Sequence, residues 1–147
     1  MNTKRILIGT LVGGIAMGVL GYLIFELAFG RFYATNAGSA TGVPREANLE
    51  WAVALGTFSL AALLTLAIES RAGRSTIGKG FTTGATVGFL VWFGVDLIHY
   101  GISNVSNLTR TLVDPLLELV RGGITGAIIA AVLSRIAKPE FRAQART

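Results

Sequence analysis

Apolar residues in this chain gather into four long runs, at residues 6–29, 49–68, 81–102 and 116–136, with most charged residues in the stretches between and beyond them. A helix rising about 1.5 Å per residue needs roughly 20 mostly apolar residues to cross about 30 Å of hydrocarbon. Each run meets that length. The pattern predicts an all-α membrane protein: a four-transmembrane-helix bundle forming a single transmembrane domain over residues 1–147. The connecting segments are too short to fold alone. The first, residues 30–48, carries Pro44 and two aromatic residues, Phe32 and Tyr33, of the kind that favour a membrane interface. The middle segment, SRAGRSTIGKG, is basic and glycine-bearing, and predicts a tight hairpin between the second and third spans. In the third, Asp114 followed by Pro115 reads as a helix start, with Asp as N-cap and Pro at the first helical position. Pro139 marks a stop after the fourth span.

Composition agrees with that solvent. Hydrophobic residues make up 52% of the chain and charged residues 14%, with a mean hydropathy of +0.61. A soluble domain carries about a quarter charged residues. Cysteine is absent, which excludes disulfides, thiolate metal sites and a cysteine nucleophile. The net charge of +5 and pI near 10.2 raise the question of nucleic acid, but the placement of the charges answers it otherwise. Lys4, Arg5, Arg71, Arg74, Lys79, Arg135, Lys138, Arg142 and Arg146 fall on one side of the spans, and Arg31, Arg45 and Arg110 on the other. That bias predicts a multi-pass protein of the bacterial inner (plasma) membrane with both termini and the middle loop cytoplasmic. Attraction to anionic lipid accounts for the basic excess, and no nucleic-acid partner is expected.

The first apolar run is longer than a signal-peptide core, and no A-x-A site follows it, so it is read as a retained span. Asn104-Val105-Ser106 and Asn107-Leu108-Thr109 match the N-glycosylation pattern but read as polar loop residues.

The two halves align without a gap when shifted by 70 residues, suggesting an internal repeat of 6–69 on 76–139. Gly14 then meets Gly84, Gly18 meets Gly88, Glu26 meets Asp96, and Gly56 meets Gly126. The first and third spans would both run outward, giving two parallel-repeat helical hairpins related by an axis along the membrane normal.

Nineteen glycines is a high count, and many lie within the runs. Helices in lipid associate through close backbone contact, which small residues permit. Gly14, Gly18 and Gly21 share one stripe of the first span, and Gly84 and Gly88 one stripe of the third. These stripes predict that the first and third spans pack on each other, with Gly126 among the packing glycines of the fourth.

Ionisable residues within the runs collect toward the outer ends: Glu26, Asp96, His99, Glu118 and Arg121, with Glu50 at the start of the second span. Burying a charge in hydrocarbon costs about 2.5–3.5 kcal/mol on insertion scales, so such groups pair or face water. Arg121 is the only basic group at that depth and is expected to pair with Asp96, Glu118 or Glu26. Asp96 and His99 are helical neighbours, as are Glu118 and Arg121. The cluster reads either as structural ion pairs or as an outward-facing vestibule for a cation, a metal or a polar headgroup. One His among carboxylates has no diagnostic metal spacing. Nucleophile-elbow, Walker A and H-E-x-x-H motifs are missing, so no catalytic residue and no cofactor is expected. Trp92, Phe93 and Tyr100 read as interface and packing groups.

The stretch LGYLIFELAFGRFYATNAGS, with GVDLIHYGISN in the second half, resembles small four-span bacterial membrane proteins of uncharacterised family. The likeness covers most of the chain and brings no activity with it. The leading expectation is a non-enzymatic inner-membrane subunit, its partners being the bilayer and either further copies of itself or another membrane protein. The alternative is a small transporter or channel that binds a cation or polar ligand at the outer cluster. A membrane enzyme using His99 with Asp96 is the third.

Overall fold

Three of the four long helices begin where a polar side chain satisfies a free amide, the exception being the one capped by Leu49. Asn2 accepts from the Lys4 amide and opens α1, Thr3–Gly21. Thr76 accepts from the Lys79 amide and opens α4, Ile77–Ile102. Asn107 accepts from the Arg110 amide at 2.9 Å and opens α5, Leu108–Arg135. Between these lie a π-helical segment, Tyr22–Ala28, that continues α1, the short α2, Gly30–Thr35, and α3, Glu50–Glu69. The computed structural model describes residues 2–71 and 76–136. Arg74, Lys138, Pro139, Arg142 and Arg146 lie outside the described residues.

The structure is all-helical, and among the described residues four helices are long and apolar enough to cross a membrane. They match the four apolar runs, with shifted ends. The largest shift corrects the start of the fourth: Asn107, not Asp114, is the cap, and Pro115 lies inside α5. A proline there removes one backbone hydrogen bond, and its ring is fully buried.

α5 is the hub. Half of its most apolar window is buried, against about a fifth for the other three long helices. α4 packs along it on one side and α1 on another, while α3 packs mainly on α1. The expected seam between the first and third spans is therefore not formed. Gly84 and Gly88 lie against α5 instead: a Cβ at Gly84 would collide with the Gly122 carbonyl, and one at Gly88 would come within 2.6 Å of the Glu118 carbonyl. Gly80 and Gly126 meet in the same way. Glycines at four-residue spacing on both helices let the two backbones touch along three turns. Gly14 faces Phe58 of α3, and Gly18 has open space around it.

Below this level Met17, Leu64, Ile68, Ile129, Ala130 and Leu133 form a closed apolar core. At its far end a buried ion pair ties three helices together. Arg5 of α1 grips Glu69 of α3 through two 2.9 Å bonds, donates to the Leu133 carbonyl at 2.8 Å and also reaches the Ile136 carbonyl. This end is thus less free of charge than the apolar runs suggest, because α1 and α3 extend past them by enough to bring in Arg5 and Glu69. The outward faces are apolar, with Leu7, Leu11, Ile15, Trp51, Leu55, Leu90 and Ile98 all exposed.

Candidate functional site

The π-helical turn, Tyr22–Ala28, carries α1 on toward the end of the bundle opposite Arg5. Its wider pitch closes with the Phe29 amide bonding the Ile24 carbonyl at 2.8 Å. Such segments often accompany functional sites. Here it sets Phe25 and Glu26 on the wall of a cavity of about 520 Å³ at the end of the bundle opposite the Arg5–Glu69 pair. α4 contributes Trp92, Asp96 and His99. α5 contributes Arg110, Thr111, Asp114, Glu118 and Arg121, residues spaced to share one face.

Arg121 forms the floor. Its Nη1 bonds Glu118 Oε1 at 2.6 Å, its Nε donates to the Met17 carbonyl at 3.0 Å, and its guanidinium sits 5.4 Å from the Phe25 ring centroid. Gly21 makes room for it, since a Cβ there would lie 2.9 Å from Nη2. Arg121 therefore ties α5 to α1 while keeping a paired charge inside the bundle.

Tyr33 of α2 closes the upper wall. Its hydroxyl donates to Asp114 Oδ1, and Arg110 lies 4.8 Å over its ring. Burial, reinforced by the neighbouring Asp114 carboxylate, pushes the Tyr33 phenol above the ordinary tyrosine range. It stays a donor at any physiological pH. The connecting segments then bind to each other over the top. Gly38 and Ala40 donate to the Val105 and Asn104 carbonyls at 3.0 Å, and Asn107 Nδ2 donates to Asn36 Oδ1 at 3.1 Å. Gly38 is required there, because any side chain would run into the Asn104 carbonyl.

The structure brings Glu26, Asp96, His99, Glu118 and Arg121 to one cavity. Glu50 is exposed at the start of α3 and does not line it. Arg121 takes Glu118 as its partner. Sequence reasoning missed Tyr33, Arg110 and Asp114 as site residues, and Arg5 as a buried one. Arg110 and Asp114 were legible as a continuation of the Glu118 face, had the helix been started at Asn107. Among the described residues no group of three or more His, Cys, Asp or Glu is placed to hold a metal ion. The arrangement can instead offer carboxylate acceptors, an aromatic wall and a few hydroxyls to a small polar molecule. No family model matches the chain, and no match is found among curated proteins or among solved structures.

Proposed function

We propose that this is a multi-pass membrane protein whose outer-end cavity binds a small polar solute, as the entry site of a small carrier or a solute receptor. The observation that carries it is the cavity itself: about 520 Å³, within the range of small-molecule sites, with charged groups from three spans converging on it. Intramembrane charges of this kind mark solute and ion pathways. The closed apolar core and the Arg5–Glu69 pair beneath it close the other end, which supports reading this as an outward-facing form.

The orientation follows the basic residues. Lys4, Arg71, Lys79 and Arg135 lie at the end opposite the cavity, which supports cytoplasmic termini in a bacterial inner membrane and a cavity facing outward. The alignment of Glu26 with Asp96 supports the internal repeat, since both residues line the cavity. Binding and transport require no chemical step, so the reading is non-enzymatic. The test is flux in liposomes. Glu26→Gln and Asp96→Asn should each abolish cation-linked uptake while elution in detergent stays unchanged; unaltered uptake in both would sink the carrier reading.

A second reading, a subunit of a larger assembly, draws on α3. Trp51, Val53 and Leu55 are exposed at its outer end, and Gly56 beside them has open space. Lipid covers such a face equally well. A defined protein co-purifying with the wild type but lost from Gly56→Leu would favour the subunit.

A further inference from the structure

The formal charge of the cavity does not balance. Four carboxylates line it, on Glu26, Asp96, Asp114 and Glu118, against two guanidiniums, on Arg110 and Arg121. Both guanidiniums already have partners, Arg121 in Glu118 and the Met17 carbonyl, Arg110 in the Tyr33 ring. Among the described residues Glu26, Asp96 and Asp114 have no ion pair. Oδ2 of Asp96 is shut off from solvent and receives no N–H or hydroxyl donor, and the Asp96 carboxyl faces that of Asp114, with which it can bond directly only through a shared proton. A carboxylate oxygen so placed calls for a proton or an external cation.

Two features select the kind of cation. The volume of about 520 Å³ is that of a small-molecule site rather than of a bare ion. The described residues also lack the convergent donor set that a metal needs. An ammonium group fits both. It brings three N–H donors for carboxylate oxygens, and its carbon skeleton suits an aromatic wall such as Trp92.

We propose that the cavity takes a protonated organic amine, its ammonium held by Asp96 and Asp114 with Glu26 at the rim. This deepens the solute-binding reading and rests on it. Two sources carry that group: a water-soluble amine and the amine headgroup of a lipid.

The chain has no cysteine, so Val105→Cys places a single thiol on the cavity wall. In phosphatidylcholine nanodiscs it is reacted with two methanethiosulfonates, one bearing trimethylammonium and one sulfonate. The cationic reagent should react faster by about tenfold or more, after correction for its rate with a free thiol. That preference should fall in Asp96→Asn and in Asp114→Asn, while the anionic reagent still reacts, which shows the cavity intact. Added ethylamine hydrochloride should slow the cationic reaction if the source is soluble. Phosphatidylethanolamine in the nanodisc should slow it if the source is a headgroup. Equal rates for the two reagents, or a cation preference that survives both Asn variants, overturn the amine and leave the cavity reading standing. A preference that neither amine diminishes overturns it too, as attraction without binding. No reaction with either reagent overturns the cavity reading itself.

Discussion

Arg121 and Arg5 hold opposite ends of the molecule by the same device. Each is a guanidinium inside the bundle that is paired with a carboxylate and also caps backbone carbonyls of another helix. Breaking a buried pair by removing one partner costs about 3–5 kcal/mol, because the other charge is left uncompensated. Glu118→Gln should therefore lower the thermal midpoint in detergent sharply. Adding Arg121→Gln to it should recover part of the loss, since the pair is then removed whole. Glu69→Gln should behave like Glu118→Gln at the other end. Tyr33 gives a spectroscopic prediction. Its phenol is held above the usual value near 10 by burial and by Asp114. An ultraviolet titration should show a late phenolate phase that is missing in Tyr33→Phe.

At the scale of elements, the α4–α5 seam is where glycine decides the packing. Gly84→Leu forces a side chain into the Gly122 carbonyl and should separate the helices. Gly18→Leu enters open space and should be nearly neutral. Unfolding midpoints of the two variants check this directly: equal losses would contradict the seam. The stripes themselves were legible in the sequence, because spacing by four places glycines on one face. Their partners were not. A small-residue stripe says that something approaches closely and does not say which helix does. The start of α5 was misread for a related reason. Asp114 with Pro115 has good local capping chemistry, but Asn107 lies one docked loop away, and its amide group also bonds Asn36. That tertiary contact outweighs the local signal. The π-helical turn at Tyr22–Ala28 has no proline or other local mark in the sequence.

For the whole molecule, four crossings, if all four apolar helices span the membrane, would put both ends on one face. Single cysteines added at the two ends should react with an impermeant maleimide from the same side of a sealed vesicle; reaction from opposite sides would refute the topology. Hydropathy determined the four long helices and their order, though not their exact ends, because exclusion from water acts on composition and is indifferent to neighbours. It also placed Glu26, Asp96, His99, Glu118 and Arg121 at a common depth, since depth is set by position along a span. Only the tertiary structure decided that α5 is the hub, that Arg5 is buried with Glu69, and that these side chains surround one cavity roofed by the two outer segments. Rotation about a helix axis and the choice of neighbour depend on contacts between residues far apart in the chain. The period of a hydrophobic run carries no information about them.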